Sequence, residues 1–279
     1  MKKILITGAN SYIGTSFEQY IKENYPDHYV IDTVDMIDGS WRETSFAGYD
    51  CVFHVAGIAH QKETKENAHL YYEVNRDLAI ETARKAKRDG VNQFIFLSSM
   101  SVYGMETGVI TRATDPSPKS HYGRSKWEAE QGIGELVDES FRICLLRPPM
   151  VYGKNCKGNF GKIKRMVEKL PIFPYVKNRR SMIYIDNLSS FVLRCIDQNA
   201  EGLFFPQNRE YVRTIDLAAG IAHGLNRKIR FEYITGLGVL LLRLFYPTAK
   251  KAFGSLIYDM EEERDYCVVS NEDSILKSV

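Results

Sequence analysis

The chain has 279 residues, 44% of them apolar and 26% charged, a balance that suits a soluble globular protein of one large domain or two small ones. A net charge of +2 and the lack of any long Lys/Arg block exclude a basic nucleic-acid tail. Cys51, Cys144, Cys156, Cys195 and Cys267 are odd in number and form no Cys-x-x-Cys pair, which argues for reduced thiols in a cytoplasmic protein and against a disulfide frame or a metal site.

Taken in order, Met1-Lys2-Lys3 precedes an apolar run that stops at Thr7-Gly8, too short for a secretory core. Lys2–Thr7, rich in β-branched residues and followed by a glycine turn, predicts a buried first strand. A helix over Ser16–Glu23, ended by the loop at Pro26, leads to a second strand, Tyr29–Met36, finishing at Asp35. Asp50–Ala56 is a further strand. Leu70–Arg88 has helical periodicity, with Glu73, Arg76, Asp77, Glu81, Arg84 and Lys87 on the polar face. Phe94–Ser98 then predicts a strand, Tyr122–Val137 a helix and Phe141–Leu146 another strand. This alternation predicts an α/β fold: a Rossmann-like, doubly wound parallel sheet with helices on both faces.

After Arg147 the regular alternation breaks at Pro148, Pro149, Pro171, Pro174 and Pro206 and at Gly153, Gly158 and Gly161. Met182–Ile185 and Phe191–Ile196 are read as a strand and helix of the first domain. Residues 1–150 with 181–200 are therefore expected to form the first domain, and 151–180 with 201–279 a smaller lobe. Gly236 to Tyr246 is the most apolar late segment. Interrupted by Arg243 and far short of the about 20 residues that span a bilayer, it is read as a packed amphipathic helix.

Four places carry chemistry. Gly8-Ala9-Asn10-Ser11-Tyr12-Ile13-Gly14 lies between the first strand and first helix, where backbone amides and a helix N-terminus suit a pyrophosphate. Ser11 replaces the middle glycine of the full Gly-x-x-Gly-x-x-Gly pattern, and fits if its φ is negative. A carboxylate ending the second strand would accept from a ribose diol and repel a 2′-phosphate. Asp35, 21 residues past Gly14, fits better than Asp32, and favours NAD over NADP. Asp38 in the following turn is either an adenine contact or a solvated loop residue. Tyr122 and Lys126, four residues apart, share a helix face, where an ammonium would lower the phenol pKa toward use as a base. Ser98-Ser99-Met100-Ser101-Val102-Tyr103-Gly104 brings hydroxyls to the carboxyl edge of the sheet, where such folds bind ligands.

The ordered series TGANSYIG, DCVFHVAG, FIFLSSMSVYG, YGRSK, LRPPMVYG and RRSMIYIDNL resembles the extended short-chain dehydrogenase/reductase family, in its nucleotide-sugar epimerase and dehydratase group. The resemblance implies a catalytic triad of Ser99, Tyr122 and Lys126. It implies a dinucleotide lined by Gly8, Ser11, Tyr12, Ile13, Gly14, Asp35, Val55, Ala56, Gly57, Asn75, Tyr122, Lys126 and Pro148. Substrate contacts follow as Ser99, Ser101, Tyr122, Pro149, Asn159, Phe160 and Arg180, the last clamping the diphosphate of a UDP-sugar. Arg179 and Lys154, Lys157, Lys162 and Lys164 are read as solvated. By the same resemblance the chain dimerises through a four-helix bundle of about 67–88 and 122–138, with Tyr71, Leu78, Trp127 and Ile133 on the face.

Dehydratases of the group place an Asp-Glu pair right after the catalytic hydroxyl residue; here Met100 and Ser101 stand there, and neither is a general acid or base. The expected activity is therefore 4-epimerisation of a UDP-hexose or UDP-N-acetylhexosamine with tightly held NAD. The alternative is an NAD(P)H-dependent 4-keto-sugar nucleotide reductase using the same residues. A non-catalytic dinucleotide sensor is disfavoured because it would have no need of all three residues. The chain is short for the group, which implies a trimmed sugar lobe, and Met150 stands where many epimerases carry a polar residue.

Overall fold

The computed structural model describes residues 1–59, 61–233, 238, 253–259 and 264–279. They divide into two compact units: Met1–Gly104, Pro116–Pro148 and Ser189–Pro206, then Met105–Asp115, Pro149–Leu188 and Gln207–Val279. The apolar run Gly236 to Tyr246 falls almost wholly outside the described residues. Elements are numbered in chain order through both units.

In the first unit β1 (Lys2–Thr7), α1 (Tyr12–Asn24), β2 (Tyr29–Val34) and β3 (Cys51–His54) are followed by α2 (Ala68–Tyr72), a π-helical turn (Glu73–Asp77), α3 (Leu78–Arg88) and β4 (Gln93–Leu97). Then come α4 (His121–Gly134), β6 (Arg142–Leu146), the end of α6 (Ile185–Asp197) and β10 (Gly202–Phe204). The six strands pair in parallel in the order β10-β6-β4-β3-β1-β2. Every residue of β3 and β4 is buried, as central strands of a sheet covered on both faces require. The edge strand β2 leaves Asp32 and Thr33 exposed. Ala79, Ala83 and Ala86 of α3 share one buried cluster with Ala129 and Ile133 of α4 and Phe94 and Phe96 of β4. From β1 the chain runs first to β2 on one side and later to β3 on the other. That strand-order switch opens the sheet's carboxyl edge to a ligand.

Three elements depart from expectation for identifiable reasons. Helix α1 starts at Tyr12 rather than Ser16, because Ser11 caps it and its Oγ accepts from the Gly14 amide (3.2 Å). Strand β2 stops at Val34, whose carbonyl turns to accept the Gly8 and Ala9 amides (3.0 and 3.1 Å). The expected helix Leu70–Arg88 is broken by the π turn, inside which the Asn75 side chain binds the backbone of Ile58. Helix α3 ends in a Schellman-type cap, with Gly90 at φ +82° and the Val91 amide reaching the Ala86 carbonyl (3.0 Å).

Among its described residues the second unit holds three parallel two-stranded ribbons: β5 (Gly108–Ile110) with β12 (Leu256–Tyr258), β7 (Met150–Tyr152) with β9 (Met182–Tyr184), and β8 (Ile172–Pro174) with β11 (Arg230–Glu232). Helices α5 (Asn159–Lys169), α7 (Thr214–Gly224) and α8 (Asn271–Lys277) pack in sequence, α7 touching both others. The buried Tyr152 hydroxyl anchors a polar network, bonded to Ser274 Oγ (2.6 Å) and Asn208 Nδ2 (2.8 Å). Residues 105–115 and Met182–Tyr184, assigned above to the first domain, sit in this unit because their strands pair with Leu256–Tyr258 and Met150–Tyr152. The sixth strand of the large sheet is instead Gly202–Phe204, three residues that carry no strand signal of their own.

Among the described residues no helix is long and apolar enough to cross a membrane, and no three metal-ligating side chains converge. All five cysteines are free thiols.

Candidate active site

The glycine turn after β1 is built for close backbone approach. Gly8 has φ +102°, and a Cβ there would lie 2.8 Å from both Cα and N of Ala56. Ser11 holds φ −71°, the condition its substitution for glycine needs. Across the strand-order switch, Val55 and Ala56 are buried and Gly57 is exposed at the carboxyl end of β3. A Cβ on Gly57 would stand 2.8 Å from Asn75 Oδ1 and 3.4 Å from Lys126 Nζ. Asn75 is wholly buried, its amide bonding Ile58 (2.8 and 3.0 Å) and Ser125 Oγ (3.3 Å). Tyr12 and Ile13 open α1, and the buried Pro148 accepts from the Met100 amide (3.0 Å). Asp35 is exposed just beyond β2, accepting from the Ile37 amide (2.8 Å), whereas Asp32 accepts from the Tyr49 hydroxyl within the strand (2.8 Å). The first unit thus brings the sequence-predicted dinucleotide residues to one edge of the sheet, and a turn whose Gly8 leaves no room for a Cβ, leading into the Ser11-capped start of α1, fits an NAD pyrophosphate. Gly8→Ala is expected to cost about 1–3 kcal/mol through strained φ and backbone overlap. It should strip bound dinucleotide, read as a lower Tm and lost 260 nm absorbance; full retention of both would contradict this account.

Tyr122 lies in the first turn of α4, Lys126 one turn further and Ser99 at the start of a 3-10 turn, Met100–Tyr103, beyond β4. Ser99 Oγ accepts from the Ser101 amide (3.1 Å), and the Ser99 side chain acts on the Tyr122 phenol, holding its pKa down. Lys126, 5% exposed, donates to the Leu97 carbonyl (2.8 Å), with its Nζ 4.6 Å from the Phe96 ring centre. Burial raises the Tyr122 phenol above its usual range, and the Ser99 side chain opposes that rise. Lys126 directs its Nζ to the carboxyl end of β4. Burial also pulls Lys126 down to about 7, partly offset by the charge of Glu130. His54, stacked on Phe94 and Phe96 and bonded to Thr7 Oγ1 (2.7 Å), is pushed by burial down to about 3 and is neutral.

Sequence reasoning missed two supports of α4. Glu63 caps its N-terminus, accepting from the amides of His121 and Tyr122 (both 3.0 Å), beside the Ser120 hydroxyl cap on Gly123 (3.0 Å). Arg147, at the end of β6 and 4% exposed, grips the 1% exposed Glu130 through Nε and Nη2 (3.0 and 2.5 Å). It also donates to the Tyr103 hydroxyl (2.6 Å). Glu130 lies four residues past Lys126, a spacing the sequence does display. Of the residues read as a dimer face, Tyr71 and Ile133 are 1% and 0% exposed: Tyr71 meets the Tyr122 ring edge-on and Ile133 belongs to the core.

In the second unit a cavity is lined by Asn159, Lys162 and Met166 of α5, Met150, Arg180 and Phe253, among others. Arg180 is half-buried, donates Nη1 to the Gly254 carbonyl (3.0 Å), and is lowered from its usual pKa by burial. Lys162, read as solvated, borders this cavity; Lys154 and Lys157 are exposed and Lys164 donates to the Val279 carbonyl (2.7 Å). Phe160 does not line it: 2% exposed, the ring stacks on Tyr152 at 5.6 Å. Pro149 is buried and Ser101 exposed. Arg179 is exposed over the Tyr211 ring (5.7 Å).

Comparison with known proteins gives the same picture. A UDP-glucose 4-epimerase of Vibrio cholerae is 31% identical over 251 residues, covering 81% of this chain and 76% of its own. Two solved structures superpose with TM-score 0.74 at 19% identity, each covering 99% of this chain and 97% of its own: a UDP-glucuronic acid 4-epimerase from Bacillus cereus in complex with NAD, and a dTDP-4-dehydrorhamnose reductase from Clostridium acetobutylicum. At that identity they show the fold. The model of the NAD dependent epimerase/dehydratase family matches residues 4–205, a span that holds the glycine cradle, the Ser99 turn and the Tyr122–Lys126 helix. With its parallel sheet and that matched span, the chain belongs to the NAD dependent epimerase/dehydratase family.

Proposed function

We propose that the protein is an NAD-dependent nucleotide-sugar 4-epimerase acting on a UDP-hexose or UDP-N-acetylhexosamine through a transient 4-keto sugar. The observation that carries this reading is Ser99 set against the Tyr122 phenol, one helical turn from the buried Lys126, with Met100 and Ser101, neither of them an acid, following Ser99 in sequence. The likeness to the Vibrio cholerae UDP-glucose 4-epimerase supports it.

Gly8, Ser11, Asp35, Val55–Gly57 and Asn75 hold the dinucleotide. When bound, NAD supplies the hydride acceptor and later donor at C4, and in oxidised form a positive charge that favours phenolate. Tyr122 takes the 4-hydroxyl proton and returns it after the keto sugar has turned. Ser99 fixes the sugar oxygen and steadies the phenolate by donating to it. Lys126 holds the nicotinamide ribose. In the second unit Arg180 offers a permanently charged fork to the diphosphate, with Asn159 and Lys162 on the same cavity. A 4-keto-sugar reductase would use the same residues in one direction, and the reductase superposes as well as the epimerase does.

UDP-sugar carrying deuterium at C4 separates the two readings. An epimerase returns the label to C4 of the 4-epimer, with none in solvent or added dinucleotide. Label appearing in free NADH would sink the reading. We infer a cytoplasmic homodimer through a four-helix bundle of about residues 67–88 and 122–138. A monomer mass in sedimentation at micromolar concentration would remove the dimer.

A further inference from the structure

Tyr122, Lys126 and Glu130 succeed one another at four-residue steps and so share one face of α4. The function above uses the first two and leaves a carboxylate 1% exposed without a task. Arg147 grips that carboxylate bidentately, lies over the Trp127 ring (5.2 Å) and bonds the Tyr103 hydroxyl, at the end of the turn that Ser99 begins. Taking two ions out of water is costly, and apolar side chains of like volume often serve stability as well. A pair this buried beside a site calls for a reason other than stability.

Lys126 supplies the reason. Its Nζ bonds one neutral carbonyl, Leu97, and no carboxylate of the described residues comes within ion-pair distance. The groups around it are few. His54 of β3 is neutral; Asn75 of the π turn and Gly57 after β3 carry no charge; Phe96 and Leu97 come from β4; Tyr122 is the proton carrier on its own helix. Glu130 bears the negative charge felt at Lys126, and it raises an ammonium that burial pulls down.

We propose that Glu130, locked by Arg147, is a positioning residue for Lys126: its fixed carboxylate one turn away keeps the buried side chain in its ammonium form, while the Arg147–Tyr103 bond ties the Ser99 turn to the same helix. The inference rests on reading Lys126 as the site's ammonium.

The test uses dinucleotide-loaded enzyme and the double variant Glu130→Gln/Arg147→Met, which removes both charges together and spares either from being buried alone. Lys126 is followed by 13C NMR of labelled lysines, its signal assigned by loss in Lys126→Met. The expected result is a Tm close to the parent, with the Lys126 titration and the alkaline limb of kcat both displaced downward by about one pH unit, the tenfold change in equilibrium that one unit represents. Glu130→Asp keeps the charge and should keep the titration even where Tm falls. A double variant whose Lys126 titration stays in place overturns the proposal, as does a Glu130→Asp enzyme that loses it. A shifted titration with an unmoved kcat limb upholds Glu130 and instead refutes the catalytic reading of Lys126.

Discussion

Tyr122→Phe is expected to lower kcat by about 10²–10⁴-fold, the usual contribution of a positioned general acid–base group. Only one oxygen is removed. The ring keeps its edge contact with Tyr71 and the first turn of α4 keeps its Glu63 and Ser120 caps, so Tm and bound dinucleotide should be preserved. The pH profile should change as well. Burial raises the phenol, so less phenolate is present as pH falls, and the parent enzyme should lose rate on its acidic side. Ser99→Ala removes the hydroxyl that opposes that rise, and should move the acidic limb to higher pH. In Tyr122→Phe the limb should vanish from whatever rate remains. Full turnover in this variant would show that another group is the base.

Lys126→Met should do two things that seldom go together: abolish turnover and stabilise the apo protein near neutral pH. The sign follows from its depressed pKa. Folded Lys126 titrates at about 7 and an unfolded lysine near 10.5, so between these values the unfolded chain binds more protons. Stability from this group therefore rises with pH across that window, and holding the charge below about pH 7 costs on the order of a few kcal/mol. Methionine removes that cost and leaves the Leu97 carbonyl without its donor, worth about 1 kcal/mol. A Tm gain of several degrees at pH 6, shrinking toward pH 10, is the expected result in calorimetry. A Tm loss at pH 6 would mean that the charge stabilises the fold. That result would mark Lys126 as a residue whose buried charge costs stability.

Much of this was legible from sequence because it depends on local pattern. Ile4–Ile6, Cys51–Phe53 and Phe94–Leu97 announce central strands by their short apolar runs, and Gly8 announces its turn by lacking a side chain. Four-residue spacing put Tyr122 and Lys126 on one face, and strand-end position separated Asp35 from Asp32. What failed depends on distant partners. The direction in which Lys126 points is set by β4, and the charge of Glu130 has meaning only once Arg147, 17 residues away, is folded onto it. Glu63 reads as one acid in a polar loop until its carboxylate meets the end of α4, 59 residues on. Phe160 fits a substrate motif by position, yet the core of the second unit claims its ring through Tyr152. The pairing of Met182–Tyr184 with Met150–Tyr152, like the addition of Gly202–Phe204 to the large sheet, is a tertiary choice between short, similar apolar runs.

In the proposed epimerase one hydride leaves C4 and comes back to it. The most direct measurement is to denature the purified enzyme, assay the dinucleotide released, and then follow native enzyme with UDP-glucose or UDP-N-acetylglucosamine and no added NADH. The expected result is bound NAD and interconversion of the 4-epimers, with no net change in nicotinamide absorbance at about 340 nm. Stoichiometric consumption of NADH or NADPH by a 4-keto sugar, with no interconversion of epimers, would contradict it.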